Sequence, residues 1–286
     1  MPTVTTTEVT NIKVSSATCG GNVTSDGNGT VTARGICWST SSTPTIDDNK
    51  TTDGSGIGSF TSSLSNLASQ TTYYVRAYAT NEAGTSYGEE KSFTTRASTG
   101  TENGYGWVDL GLSVKWATCN VGANSPEEYG DYFAWGETTT KSEYTKENCP
   151  TYGLSYSELQ SQGYIDSNGN LTSQYDAATA NWGGNWRMPT KAEIQELLDN
   201  CTWTWTKQNG VEGCNVEGPN GNSIFLPAAG CRNGSSHYGA SQGGYWSSTP
   251  YEGNGYYARD LFFYIDDYHV GSGYRYDGWS VRSILE

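Results

Sequence analysis

"LASQTTYYVRAYATNEAGTSYG", Leu67–Gly88, sets Tyr73, Val75, Ala77 and Ala79 on one side of the chain and polar or exposed residues on the other. A period of two places successive side chains on opposite faces of an extended backbone, so the stretch reads as a strand with one buried face. Leu67 precedes Tyr73, and Asn81 and Gly84 follow the strand. Outward from it, residues 4–95 read as a succession of short strands separated by turns. Composition agrees: with 36 Gly and 21 Tyr among 286 residues and only 16% charged, the chain suits short strands and turns better than helices.

The strand and its neighbours resemble the tyrosine corner of fibronectin type III and related immunoglobulin-like sandwiches. The resemblance covers 1–97, and such modules act as spacers. Within it, "SDGNGT" is a strong turn signal between alternating stretches 14–24 and 31–39. A hairpin pairing Val23 with Ala33 would set Cys19 opposite Cys37, within disulfide range. The two are expected to form either a bridge or a pair of reduced apolar thiols. With 7 cysteines in all, at least one is unpaired or pairs between chains, and their spacings match no zinc pattern.

The formal charge of -14 argues against nucleic acid and anionic membrane as partners, since both require basic surface. No apolar run is long enough to insert in a bilayer. Met1-Pro2-Thr3 does not begin a signal peptide and reads as an added start or a cytosolic one, the first being expected because the composition looks extracellular.

A length of 286 residues fits two domains. "RASTGTENG" (Arg96–Gly104) is small and polar, which makes 98–103 the expected linker. From Gly104 tryptophan becomes frequent. "GWVDLGLSVKWAT" reads as a strand pair. Ser125, Pro126 and Glu128 predict a short capped helix, as do Ser155, Glu158 and the terminating Gly163. The best helix is "TKAEIQELLDNC": Thr190 and Glu193 form a capping box, and Ile194, Leu197, Leu198 and Cys201 follow at helical spacing toward the core. This half, 104–286, is therefore an α+β domain of many short strands.

"VDLGLSVKWATCNVGA", "GDYFAWGET", "NWGGNWRMPT", "GNSIFLPAAG", "YWSSTPY" and "GWSVR" resemble, in order, the Fibrobacter major-paralogous-domain family. That family is common in surface proteins of gut Bacteroidetes, and its fold looks like a C-type lectin. The resemblance spans Gly104–Arg282. It implies a cell-surface or secreted protein, without enzyme activity or cofactor, that binds a protein or glycan ligand on another cell or particle. The fold also houses formylglycine-generating enzymes, and "RMPTKAE" is similar to their signature. Those enzymes work through a late cysteine pair, whereas no cysteine follows Cys231. A calcium-dependent sugar site is not expected either: Gly218 interrupts Glu217, Pro219 and Asn220. In "DSNGN" (Asp166–Asn170), Leu171 replaces the turn glycine of a calcium loop and Ala177 its bidentate glutamate. Neither His237 nor His269 has a partner at metal-ligand spacing.

"YYARDLFFYIDDYHVGSGYRYDGW" (Tyr256–Trp279) remains, rich in tyrosine and aspartate and without lysine. Ala258, Leu261, Phe263, Val270, Arg275, Gly278, Ser280, Val281 and Arg282 coincide with positions that recur in the family and are expected to be scaffold. Arg259, Asp260, Phe262, Tyr264, Asp266, Asp267, Tyr268, Gly271, Ser272, Gly273, Tyr274, Tyr276 and Asp277 lie between them. All are encodable by codons ending in pyrimidine, and 253–285 holds no Lys, Glu, Gln or Met. That pattern resembles the variable proteins of diversity-generating retroelements. The alternative is an ordinary Tyr/Gly-rich strand region of fixed specificity, such as a carbohydrate-binding module. Tyrosine offers wide contact at small entropy cost, and Asp, Ser and Gly adapt their hydrogen bonds. With Leu261, Phe263 and Ile265 inward, alternation turns Asp260, Phe262, Tyr264 and Asp266 outward. The predicted ligand site is one solvent-facing patch: Tyr251, Asn254, Tyr256, Tyr257, Arg259, Asp260, Phe262, Tyr264, Asp266, Asp267, Tyr268, Tyr274, Tyr276 and Asp277, with His237 and Tyr238. No residue is assigned a catalytic or metal-binding role.

Overall fold

The computed structural model describes residues 1–239 and 241–286, which divide into two compact units, Met1–Ser98 and Thr99–Glu286. In the first, β1 (Thr3–Thr6), β2 (Ala17–Ser25) and β5 (Gly58–Leu64) form one antiparallel sheet. The second sheet runs β4 (Asn49–Lys50), β3 (Ala33–Ser39), β6 (Thr72–Asn81), β7 (Gly84–Tyr87), with β8 (Lys91–Thr94) also on β6. Ala17, Val23, Phe60 and Leu64 from one sheet pack with Ile36, Val75, Ala77 and Phe93 from the other, giving a two-sheet sandwich. Tyr73, Val75, Ala77 and Ala79 are all buried, and the Tyr73 hydroxyl accepts a 2.9 Å hydrogen bond from the Ala68 N–H. That bond fixes the corner through which the chain enters β6.

The hairpin expected around "SDGNGT" does not form. β2 pairs with β1 and β5, and β3 pairs with β4 and β6, so the turn carries the chain from one sheet to the other. Cys19 lies opposite Ser62 and Cys37 opposite Arg76, and both thiols are free and buried. Local turn chemistry signals a reversal, not which partner the returning strand takes.

In the second unit β9 (Thr99–Glu102) pairs with β10 (Tyr105–Val108), so most of the expected linker is an edge strand. Small polar residues are compatible with either state, and pairing to Tyr105–Val108 decides it. β10 pairs with β11 (Lys115–Ala117), which also takes β20 (Ile284–Leu285), joining the beginning and end of the unit in one sheet. β12 (Thr202–Gln208), β13 (Val211–Glu217) and β14 (Ser223–Pro227) form a meander, and β15 (Cys231–Asn233) with β16 (Ser236–Tyr238) a hairpin. The last sheet is β17 (Gly243–Pro250), β18 (Tyr257–Tyr264) and β19 (Asp267–Tyr274).

Among the described residues three α-helices accompany them: α1 (Tyr156–Ser161), α2 (Ala177–Trp182) and α3 (Lys191–Asn200). The capping boxes Ser155/Glu158 and Thr190/Glu193 form around α1 and α3. The Ser125–Glu128 stretch makes only a turn, closed by the Glu128 N–H on the Ser125 carbonyl, with the Glu128 carboxylate on the Asn124 N–H. Gly130, at φ +70°, takes the backbone out of the helical path within a turn of the cap. α3 packs on β17, β18 and β19 through Ile194 and Leu197, against Tyr245, Leu261 and Phe263. Cys201 is the C-cap in extended conformation, half-buried and still packed against this core. No helix among the described residues is long and apolar enough to cross a membrane.

Candidate ligand-binding surface

The site follows from the register of β18 on β19, in which Tyr257 faces Tyr274, Arg259 faces Ser272, Leu261 faces Val270 and Phe263 faces Tyr268. Directly opposed residues share a sheet face, so these eight lie on one face. On the other lie Asp260 with Gly271, Phe262 with His269, and Tyr264 with Asp267. The first face is covered by α3 at its Leu261–Phe263 end and open at its Tyr257–Arg259 end. One solvent-facing patch therefore does not exist; the segment divides between two faces.

On the open end tyrosine rings touch one after another. Tyr257 stacks on Tyr274 with centroids 4.6 Å apart, and Tyr274 stacks on Tyr276 at 5.2 Å. Tyr276 meets Tyr152 edge-on at 5.2 Å, and Tyr152 lies 5.0 Å from Tyr256. At the other end Tyr251 meets Tyr257 at 6.3 Å and carries the Arg259 guanidinium 4.3 Å above its ring. Tyr256 and Tyr274 remain 48% and 39% exposed, which leaves ring area for a partner. Asn254 is exposed and orders the turn by accepting from the Tyr256 N–H. The Tyr257 hydroxyl is pushed up to about 12, first by its hydrogen bond with Tyr274 and then by desolvation, so it stays a neutral donor at physiological pH.

Tyr152 is the member that sequence reasoning missed. It stands far from the segment, and Arg275 brings it there. The Arg275 side chain is fully buried, donates from Nη1 to the Thr151 and Leu154 carbonyls at 2.8 and 2.9 Å, and from Nε to the Tyr257 carbonyl at 2.9 Å. One guanidinium thus ties the 151–154 loop to β18. The sequence signal was present as an arginine in the scaffold set, but its partners are carbonyls, which carry no sequence mark.

Asp260 and Asp277, expected outside, are 2% and 8% exposed. Alternation does turn Asp260 away from Leu261, but that side is also covered: a Cβ on Gly273 would meet Trp279 Nε1 at 2.8 Å, Trp246 at 3.0 Å and Asp260 Oδ2 at 3.1 Å. A Cβ on Gly271 would collide with the Asp260 carboxylate, so both glycines are required by close approach rather than free to vary. Asp277 accepts from Asn233 Nδ2 at 2.7 Å and is pushed up to about 6 by desolvation. Ile265, expected inward, is 61% exposed because it occupies the tip between Tyr264 and Asp267, where the alternation stops. Asp266 shares that exposed tip, and Asp267 bonds His269 Nδ1 at 3.0 Å. Tyr268 stacks on Trp203 at 5.1 Å and 12°, on the helix-covered face. His237 lies apart, with Nε2 2.7 Å from the Ala229 carbonyl and 3.0 Å from the Tyr132 hydroxyl, while Tyr238 beside it is 55% exposed.

Burial raises the Asp260 carboxyl to about 7; Arg259 pulls it down, Asp277 pushes it up, and His269 across the strand bonds Asp267 instead. A carboxyl that holds its proton more tightly folded than unfolded stabilises fully below the unfolded value, and the contribution disappears as pH rises through about 7. Asp260→Asn is therefore expected to lose this slope between about pH 4 and 7 and to gain about 2 kcal/mol over the wild type at pH 8. Urea titrations at pH 5 and pH 8 check it; a variant less stable than wild type at pH 8 would refute the assignment.

Among the described residues no group of three His, Cys, Asp or Glu could hold a metal ion. No protein-family model and no curated protein matches the chain. Solved structures similar to it each cover about a third of it. The sensor domain of the anti-sigma factor RsgI4 in Pseudobacteroides cellulosolvens is 18% identical, with 34% of this chain and 95% of that one covered and a TM-score of 0.27. The sixth fibronectin type III domain from human fibronectin type III domain containing protein 3 is 24% identical, with 33% and 85% covered and a TM-score of 0.25. A computationally redesigned β-sandwich protein is 24% identical, with 34% and 94% covered and a TM-score of 0.24.

Proposed function

We propose that the C-terminal unit is a non-enzymatic recognition domain of a cell-surface or secreted protein, that it holds a protein ligand on the surface of Tyr152, Tyr251, Tyr256, Tyr257, Tyr274 and Tyr276 with Arg259, and that the N-terminal sandwich is its spacer. The unbroken chain of rings, drawn from three separated stretches, carries this reading. Contiguous exposed aromatic area on a soluble unit marks interaction, and tyrosine with arginine dominates protein interfaces. A protein is favoured over a glycan because Tyr274 is stacked against both Tyr257 and Tyr276, which takes those ring faces from a sugar.

A C-type-lectin-like scaffold of the Fibrobacter major-paralogous-domain kind is supported by where its motifs fall. Trp116, Trp135, Trp186, Trp246 and Arg282 are among the largest fully buried side chains, and β20 returns to β11. Diversification by a retroelement would then act on Arg259, Phe262, Tyr264, Tyr268, Ser272, Tyr274 and Tyr276. It predicts a near-copy of the 3′ end of the gene, with adenines at the differing bases, beside a reverse transcriptase.

The test is a screen of the full chain against arrays of cell-surface proteins and of glycans, with the Tyr257→Ala/Tyr274→Ala variant alongside. Protein hits are expected, and the variant should weaken them roughly 30-fold or more, the scale of two interface hot spots. Hits insensitive to the variant, hits on glycans alone, or turnover of a thiol-containing peptide would overturn the reading.

A further inference from the structure

The sheet of β17, β18 and β19 has two edges, and they are finished differently. The β17 edge is taken: its Trp246 N–H donates to the Ser280 carbonyl at 3.1 Å, and the strand ends in Pro250. The β19 edge is open. The Arg275 N–H donates to the Tyr256 carbonyl at 3.0 Å, next to the Tyr257–Tyr274 pair. Bonded and non-bonded pairs alternate along an antiparallel ladder, so Gly273, Gly271 and His269 bond to β18. Tyr268, Val270, Ser272 and Tyr274 then aim their N–H and C=O groups away from it. Among the described residues no strand pairs with that side, and the Tyr274 carbonyl, which accepts from the Asp277 N–H at 2.9 Å, is its one outward group with a backbone partner. Tyr268, Ser272 and Tyr274 are exposed.

An open edge templates a further strand, and chains guard theirs by shortness, lysine, proline or a bulge. The second unit does so elsewhere: β9, β15, β16 and β20 have four residues or fewer, β12 carries Lys207 and β14 ends in Pro227. β19 has none of these. It runs 8 residues, pairs with β18 without a register shift, and holds no lysine or proline.

Its own copy fits this edge. A two-fold axis through Gly271, normal to the sheet, sets Tyr268 opposite Tyr274 of the second copy and Val270 opposite Ser272. All four aim backbone groups outward, so about eight new N–H···O bonds form. Opposed residues share a face, and the Tyr268 ring, 45% exposed, meets the Tyr274 ring, 39% exposed. On the other face His269 meets Gly273, so no charge faces a like charge. The strands run antiparallel, which lays the end that α3 covers beside the open end of the other copy. We propose that the chain forms a two-fold dimer through β19, joining two three-stranded sheets into one continuous sheet. An axis normal to the sheet keeps each face on its own side. Both tyrosine surfaces therefore look the same way, and a target surface is held at two points.

A net charge of -14 on each copy opposes association. No carboxylate lies between Tyr268 and Tyr274, so this repulsion comes from the rest of the surface and is screened by salt. The dimer and the recognition surface are separate claims, since a chain that stays monomeric still offers its tyrosines.

Sedimentation equilibrium of the full chain, from roughly 5 to 500 µM, tests the dimer. The 30.9 kDa chain is expected to dimerise with a Kd of roughly 10–100 µM, as suits an edge contact smaller than the ~1,200 Å² of a standard interface. Association should tighten severalfold from roughly 0.05 to 0.5 M salt. Ser272→Pro removes an outward N–H, leaves the β18 ladder intact, and should weaken the dimer at least about tenfold. Ser272→Ala keeps the N–H and should match the wild type. Amide exchange of the wild type reads the same edge without a variant: the Val270 and Ser272 amides should slow as concentration rises, whereas the His269 amide, bonded to β18, is slow throughout. The proposal is overturned if the chain stays monomeric at the highest concentration, if salt weakens the association, if a folded Ser272→Pro variant dimerises like the wild type, or if dimerisation leaves the Val270 and Ser272 amides unprotected.

Discussion

Replacing Arg282 by methionine is expected to lower the stability of the C-terminal unit by roughly 4 kcal/mol or more. The guanidinium is 1% exposed and has no carboxylate beside it. Instead it donates from Nε to Asn120 Oδ1 at 2.8 Å, from Nη1 to the Ala117 and Thr118 carbonyls at 3.1 and 3.3 Å, and from Nη2 to the Phe225 carbonyl at 3.0 Å. These acceptors belong to the ends of β11 and to β14, so one side chain closes the chain terminus onto two sheets. Methionine fills much of the volume and leaves four buried acceptors without donors, each costing about 1–3 kcal/mol. Part of that is recovered by local relaxation and by water. Urea unfolding followed by tryptophan fluorescence checks the value. A loss under about 1 kcal/mol would mean that Arg282 does not hold the sheets together.

Leu197→Ala is expected to cost roughly 3–5 kcal/mol, because Leu197 is 0% exposed between α3 and the last sheet and its removal leaves a cavity among Tyr245, Leu261 and Phe263. Tyr264→Ala should leave the thermal midpoint nearly unchanged, since that ring is 44% exposed and sits at the hairpin tip. Tyr268→Ala should fall between them, at about 1 kcal/mol, through its stack on Trp203. Scanning calorimetry of the three variants orders them. Equal losses at Leu197 and Tyr264 would contradict the division between scaffold and surface that the whole assignment uses.

What could be read from the chain beforehand follows physical range. Alternation in Tyr73–Ala79 and the boxes Ser155/Glu158 and Thr190/Glu193 are local, and they form as read. The Cys19–Cys37 juxtaposition required a partner choice between distant strands, which no residue near "SDGNGT" encodes. In the candidate site the period of two was right from Asp260 to Tyr264, and the inference from period to exposure was not. A strand can be covered on both faces, here by α3 on one side and by Trp246 and Trp279 on the other. The inward assignment of Ile265 carried the same period past the end of β18. Tyr152 was illegible because its position depends on Arg275 reaching carbonyls of a loop far away in sequence.

Hydroxyl-radical footprinting of the full chain, free and with the protein ligand captured in the array screen, tests the central claim most directly. Tyr256 and Tyr274 are exposed and should be oxidised readily in the free chain, then protected together with Tyr152, Tyr251 and Tyr257 in the complex, while Tyr238 and Tyr264 keep their free rates. Unchanged oxidation of Tyr256 and Tyr274 in the complex, with protection confined to residues 1–98 or to α3, would contradict the assignment of this surface as the one that recognises the ligand.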